Sequence, residues 1–190
     1  MSSYAYLESL KIPSRYFNME KFKEHADKIT LKYFGSNNLI ENFSNFQFYF
    51  NHDEIERLNL NADKIALKLV DKLISYEGVS NCITAKTLQT TNFTKGIFSY
   101  LQNGYNHKLC GDLFIIPEPA TVIYHELGSE HRSGFNYDTH IPLLFYGKGI
   151  KKGKTKRTIY VTDIASTITN LLNIEAPNGN VGTIIEEVFE

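Results

Sequence analysis

The sequence has little cysteine, no long apolar run and no excess of charge of either sign, and each shortage argues against a class of protein. Its 190 residues include only two cysteines, Cys82 and Cys110, and no Cys-x-x-Cys pair. Such a set provides neither a disulfide scaffold nor a cysteine-based zinc site. With 20 basic and 21 acidic residues, the formal net charge is −1. The chain therefore lacks the broad basic field that neutralises a phosphate backbone, which disfavours nucleic acid as its main partner.

The apolar runs are too short to cross a membrane, which takes about 20 residues. The first eight residues, MSSYAYLE, have neither the basic nor the apolar region of an export signal. We therefore expect no membrane partner, and a cytoplasmic location if the chain is expressed alone. A hydrophobic content of 42% predicts an ordinary globular protein, and no linker divides residues 1–190 into two domains.

Hydrophobic periodicity predicts three longer helices and several buried strands. The helices run from about 18 to 35, from Asn61 towards Gly78, and from about 162 to 172, where Asp163 is placed to accept a hydrogen bond at the N-terminus. Strands are predicted at 46–50, 79–84, 112–116 and 141–146, with a loop or helical turn at 86–94 and a short helix at 97–101. Helices that alternate with buried strands indicate an α/β fold with at least some parallel pairing.

One segment, residues 125–140, concentrates the ionisable side chains, since it holds three of the six histidines beside three carboxylates. Imidazole and carboxylate are the usual ligands of a catalytic zinc, whereas a histidine in a polar loop is more often a surface residue. Two more specific catalytic motifs are absent from this segment. The second histidine of a His-Glu-x-x-His helix would fall on Ser129, and a nucleophile elbow around Ser133 would need glycine where His131 stands. Spacing alone leaves the metal site and the surface loop both open.

The same segment resembles a known family. The run GSEHRSGFNYDTHIPLLFYG at 128–147, followed by GIK at 149–151, TDIASTI at 162–168 and PNG at 177–179, resembles the C-terminal end of the phosphate-irrepressible bacterial alkaline phosphatases, which belong to the alkaline phosphatase superfamily. The likeness extends upstream through GDL at 111–113 to IPSRYF at 12–17, so it covers essentially the whole chain.

The resemblance implies specific roles. Family members hydrolyse phosphate monoesters with two zinc ions and a threonine nucleophile, through a covalent phosphoenzyme. By position, His131 matches the histidine that binds the first zinc on the leaving-group side, and His140 matches a residue whose hydrogen bonds orient the loop. Arg132 stands where many relatives carry glycine, and it is a candidate anion contact.

The resemblance also indicates what lies outside these residues. In the family, the nucleophile, the phosphate-binding side chains and the other zinc ligands precede the point that residues 1–6 match. We therefore expect residues 1–190 to be the C-terminal portion of a single catalytic domain, an α/β three-layer sandwich whose central sheet is incomplete here. The chain then contains no catalytic residue of its own. One imidazole cannot hold a catalytic zinc, so the two zinc ions would belong to the complete enzyme.

These expectations extend to partners and location. The complete protein would act on phosphate monoesters in the periplasm, where relatives are exported. This chain would be inactive alone, and it would assemble with a separately encoded N-terminal half or associate with itself through open sheet edges. One alternative is a non-catalytic module that holds an anion or a partner with the loop at His131 and Arg132. Another is an independent metal site made of His125, Glu130, His131 and His140.

Overall fold

A computed structural model describes residues 3–128, 131 and 133–189 of the chain. The elements, in chain order, are helix α1 (Tyr4–Ser9), strand β1 (Arg15–Tyr16), α2 (Met19–Phe34), β2 (Ile40–Ser44), β3 (Gln47–Phe50), α3 (His52–Arg57), α4 (Ala62–Leu73), β4 (Val79–Thr84), α5 (Ala85–Thr90), α6 (Gly96–Gly104), β5 (Leu113–Pro117), β6 (Thr121–Val122), α7 (Asn136–Thr139), α8 (Asp163–Leu172) and a 3₁₀ turn (Glu186–Val188). They fall into two compact units, Met1–His140 and Ile141–Glu190. That both belong to a single catalytic domain stays a prediction.

The first unit contains two small sheets, which confirms a mixed α/β fold. Strands β1 and β6, which the sequence did not predict, pair in parallel, whereas the predicted strands of this unit pair antiparallel. The larger sheet has the order β2-β3-β5-β4 and is antiparallel throughout. Strand β5 lies between β3 and β4, and all five of its residues are buried, as expected for a strand covered on both faces.

The two long helices of this unit begin where the sequence predicts, and α2 also ends there, whereas α4 ends at Leu73, before the predicted stop at Gly78. Asn18 accepts a hydrogen bond from Lys21 N (2.9 Å) at the start of α2, and Asn61 accepts one from Lys64 N (2.9 Å) at the start of α4. Gly35 follows α2 with φ +79°, the left-handed conformation that glycine adopts without strain.

An aromatic cluster forms the core between α2 and the larger sheet. Phe22 of α2 is fully buried, with its ring 5.2 Å from Phe43 of β2 and 5.5 Å from Phe48 of β3. Phe43 and Phe48 stack at 4.3 Å, and Phe17 lies 4.9 Å from Phe22. Each fully buried phenylalanine stabilises the fold by about 1.5–3 kcal/mol. This core fixes the sheet from which the chain continues through β6 into residues 123–135.

The second unit corrects two expectations. Residues 141–146 form no strand, because no described residue pairs with their backbone in a ladder, and an apolar run becomes a strand only with such a partner. The predicted helix is present as α8, but Asp163 does not cap it through a helical N–H. The Asp163 carboxylate instead accepts hydrogen bonds from Tyr160 N and Thr183 N, both at 2.9 Å, and so joins the helix to the segments on either side.

Candidate functional site

The loop at residues 123–135, between β6 and α7, contains His131, and its start is fastened to α1. Tyr4 N donates to Tyr124 O and Ala5 N donates to His125 O, each at 2.8 Å. The His125 ring packs edge-on against Tyr16, with the ring centres 5.1 Å apart, and its Nδ1 lies 2.9 Å from Glu126 Oε1. His125 is therefore engaged in packing where the loop begins.

A glycine brings the loop back onto its own first residues. Gly128 has φ +128°, and a Cβ built on it would lie 2.5 Å from Tyr124 Cγ and 2.8 Å from Tyr124 Cδ2. A side chain at this position would be strained by its backbone angle and would overlap the Tyr124 ring. Only glycine lets the chain pass this close, three residues before His131.

A second glycine holds the far end of the loop. A Cβ on Gly134 would lie 2.5 Å from Ile97 Cγ1, so the backbone at Gly134 packs directly against α6. The turn that follows is closed by Asp138, whose Oδ2 accepts hydrogen bonds from Ser133 N (3.1 Å) and Ser133 Oγ (2.6 Å). His131 therefore lies between two ends that are each fixed to the first unit.

The tyrosine of α7 ties this helix to the turn before β6. Tyr137 Oη accepts a hydrogen bond from Ala120 N (3.1 Å), and the Tyr137 ring stacks on Phe135 at 5.7 Å. Ser133 donates its hydroxyl proton to Asp138, so it is a turn residue in this fold. This agrees with the failure of the nucleophile motif around Ser133.

His131 is exposed, and its ring has no hydrogen-bond partner within the described part of the chain. Because it is exposed, this imidazole is accessible to a metal or an anion from outside the chain. His140, at the end of α7, is also exposed, and its backbone N–H donates to Asn136 O (2.9 Å). Within the described ranges the His140 side chain bonds no loop residue, so its orienting role stays a prediction. Arg132, the candidate anion contact, and Glu130 lie outside the described residues.

The donor set does not fit a complete zinc site. Among residues 3–128, 131 and 133–189, no three histidine, cysteine, aspartate or glutamate side chains are grouped closely enough to hold a metal ion. A catalytic zinc usually takes three protein ligands. His125, His131 and His140 are thus not brought together into the independent site considered above.

The two glycines and Tyr137 are the residues that sequence reasoning missed. Gly128 and Gly134 flank the loop symmetrically, three residues either side of His131, and that spacing is the signal that could have identified them. Their partners, Tyr124 and Ile97, cannot be inferred from spacing.

Comparison with known proteins gives related enzymes along nearly the whole chain, although no family model matches it. The alkaline phosphatase PafA of Elizabethkingia meningoseptica is 33% identical over 188 residues, and the alkaline phosphatase PhoV of Synechococcus elongatus is 34% identical over 146. A protein of Myroides odoratus named calcium-transporting ATPase is 32% identical over 179 residues. The crystal structure of wild-type PafA superimposes with a TM-score of 0.87 over 99% of this chain.

The match covers only part of each relative. The chain spans 33%, 34% and 26% of the Myroides, Elizabethkingia and Synechococcus proteins, and 36% of the PafA crystal chain. No described helix is long and apolar enough to span a membrane. The identity and the superposition together confirm the resemblance seen in the sequence: the chain is a homologue of the bacterial alkaline phosphatases PafA and PhoV, and its fold is that of the C-terminal part of such an enzyme.

Proposed function

We propose that this chain is the C-terminal part of a zinc-dependent phosphomonoesterase and supplies His131 as one ligand of a zinc ion. The observation that carries the proposal is the 33% identity to the PafA alkaline phosphatase over 98% of this chain. The exposed imidazole on a loop fixed at both ends supports it. Two zinc ions per complete enzyme, an exported location and a phosphate monoester substrate follow from the family and are part of the proposal.

The proposal also says that the isolated chain does not hydrolyse phosphate esters. Its loop offers one exposed imidazole, His131, among the described residues, and the nucleophile and the other metal ligands belong to the remaining two-thirds of the enzyme. The chain itself contributes the position of the His131 loop. Gly128 and Gly134 fix the two ends of the loop, so little conformational freedom is lost when His131 binds the metal.

A chimera tests this assignment. This chain replaces the matching third of the Elizabethkingia PafA polypeptide, and hydrolysis of p-nitrophenyl phosphate is measured with zinc content determined on the same sample. We expect zinc-dependent turnover and two zinc ions per molecule. His131→Ala should reduce turnover by at least about 100-fold, beyond the 10–100-fold typical of residues that merely orient a metal ligand, and should remove one zinc.

The matched control is His107→Ala, which removes an exposed histidine remote in sequence from this loop. It should leave turnover and zinc content unchanged. The isolated chain is assayed beside the chimera. Turnover by the isolated chain that disappears in His131→Ala would show a complete site within these residues and contradict the proposal. A folded chimera whose zinc content is unaffected by His131→Ala would contradict the ligand assignment.

A further inference from the structure

Helices α2 and α4 contain nearly the same six-residue sequence. Residues 27–32 of α2 read DKITLK and residues 63–68 of α4 read DKIALK, so they differ at one position. In both copies the third and fourth residues are buried, whereas the two lysines and the leucine lie on the side that is exposed or partly exposed. Because residues three and four apart share one face of a helix, each copy places two lysines beside one leucine on its outer face.

The structure brings the two copies together at Tyr33, since α2 and α4 pack against each other. Three ammonium groups surround the Tyr33 ring, with Nζ 5.4 Å from the ring centre for Lys32, 5.0 Å for Lys68 and 5.9 Å for Lys72. Within the described chain, the one carboxylate paired with this group is Asp71, whose Oδ2 lies 3.6 Å from Lys68 Nζ and 3.1 Å from Lys72 Nζ. Positive charge is therefore in excess where the helices meet.

Two leucines project from this basic surface. Leu31 is 51% exposed and Leu67 is 60% exposed. Lysine stems are long and apolar, so their ammonium groups reach polar surroundings while neighbouring leucines enter an apolar layer. Helices that lie in a membrane interface combine lysine and leucine in this way. We define the lysine–leucine face as Lys28, Leu31, Lys32 and Tyr33 of α2 with Lys64, Leu67, Lys68 and Lys72 of α4.

We propose that the lysine–leucine face binds the surface of a bilayer that contains anionic phospholipids. Its lysines pair with lipid phosphates, and Leu31 and Leu67 enter the boundary between headgroups and acyl chains. The expectation of no membrane partner rested on the length of apolar run needed to cross a bilayer, and a helix that lies on the surface needs no such run. The inference is independent of the proposed function, because no residue of the His131 loop takes part.

The composition of the two helices favours lipid over other anionic partners. They contain four and three lysines, respectively, and no arginine. Interfaces between proteins are depleted in lysine and enriched in arginine. Lysine is a compact point charge that suits scattered headgroups, whereas the arginine fork suits bidentate recognition. A nucleic acid offers phosphates but no apolar layer for Leu31 and Leu67.

Co-sedimentation with lipid vesicles tests the role of charge. We expect the chain to pellet with phosphatidylcholine vesicles that contain about 30% phosphatidylglycerol and to stay in the supernatant with phosphatidylcholine alone. Binding should be lost at about 1 M salt, where the Debye length falls to about 3 Å. Lys32→Gln combined with Lys64→Gln should weaken binding about 30-fold, at about fivefold per lysine.

The matched control is Lys151→Gln combined with Lys152→Gln. It removes the same charge from two exposed lysines of the second unit, so the net charge of the two double variants is equal. The control should leave the affinity for anionic vesicles unchanged. Circular dichroism of every variant should show the helix content of the native chain, which excludes loss of folding as the cause of weaker binding.

Tryptophan fluorescence tests the insertion of the leucines, because the chain contains no tryptophan of its own. Leu67→Trp should emit at shorter wavelength when anionic vesicles are added, since its ring enters an apolar layer. Leu109→Trp, which changes a leucine that is 76% exposed and lies outside both helices, should show no shift. Leu31→Ala should weaken binding at least about fourfold, the value for one buried methylene group.

Several results would overturn the proposal. They are no binding to anionic vesicles, equal binding to neutral and anionic vesicles, and an emission of Leu67→Trp that anionic vesicles leave unshifted. A control pair that weakens binding as much as the Lys32 and Lys64 pair would overturn it in favour of the basic run at 148–157. Tighter binding of a DNA duplex than of anionic vesicles at the same salt would overturn it in favour of a nucleic acid.

Discussion

Replacement of Gly128 by alanine should both destabilise the chain and displace the loop at His131. Two costs add at this position. An alanine at φ +128° is strained by about 1–3 kcal/mol. Its Cβ would also lie 2.5 Å from Tyr124 Cγ, and such overpacking costs about 1–3 kcal/mol. We therefore expect Gly128→Ala to reduce the free energy of unfolding by about 2–6 kcal/mol, less if the loop detaches from Tyr124.

Gly35 offers a control for the backbone cost alone. It has φ +79°, but nothing lies within 4 Å of the position that its Cβ would take. Gly35→Ala should therefore cost about 1–2 kcal/mol, the penalty of a left-handed alanine. Urea denaturation followed by circular dichroism should show the larger loss for Gly128→Ala, because only that variant adds overlap with the Tyr124 ring to the backbone strain.

A double-mutant cycle separates strain from overlap at Gly128. Tyr124→Ala removes the two closest atoms, Cγ and Cδ2, and leaves the Cβ at 2.9 Å. In that background Gly128→Ala should cost about 1–3 kcal/mol less than in the native chain. Detachment of the loop would appear as faster amide exchange at residues 126–128. A Gly128→Ala cost no greater than that of Gly35→Ala, or one that Tyr124→Ala does not reduce, would refute the reasoning.

Three further predictions concern buried groups. Hydrogen bonds from backbone N–H groups hold the pKa of Asp163 below its usual value. This carboxylate therefore stabilises the fold above about pH 4, and the contribution is lost as the pH falls through the folded-state pKa. The urea midpoint of unfolding should drop more steeply on acidification in the native chain than in Asp163→Asn. Thr167→Val should cost about 1–3 kcal/mol in urea denaturation, more than Thr167→Ser, because it leaves the buried Ile185 N–H without an acceptor. Burial raises the pKa of Cys82 to about 12, so iodoacetamide should label Cys110 in the native chain and Cys82 only after unfolding, as peptide mass spectrometry would show.

The sequence predicted the elements whose signals are local. Helices α2 and α4 carry an asparagine cap and an apolar face, and both were placed correctly apart from the end of α4, which lies at Leu73 and not near Gly78. Strand β2 was missed because its pairing with β3 shifts register between Ile40 and Asn42, which breaks the alternation that identifies a strand. The predicted strand at 141–146 was wrong for a different reason. Its composition suits a strand, but pairing depends on a partner that composition does not reveal.

The candidate site was likewise predicted only in part. His131 was singled out through resemblance to a family, since spacing within 125–140 favoured a surface loop and left a metal site open. The features that hold its loop are one local contact and one long-range contact. Gly128 meets Tyr124 within the same loop, but the positive φ that brings them together is not visible in the sequence, and Gly134 meets Ile97 of α6, which lies outside any sequence window around the loop.

The two units differ in how much apolar surface their own residues bury. The first unit buries a full aromatic core around Phe22 and Phe48, and its loop at His131 is fixed at both ends by contacts within the unit. The second unit forms hydrogen bonds through Asp163 and Thr167 but leaves large hydrophobic side chains such as Leu144 and Leu172 exposed. Hydrogen bonding alone adds little net stability, whereas apolar burial is the main driving force of folding. The second unit should therefore unfold at a lower urea concentration than the first in the isolated chain, as amide hydrogen exchange resolved by residue would show.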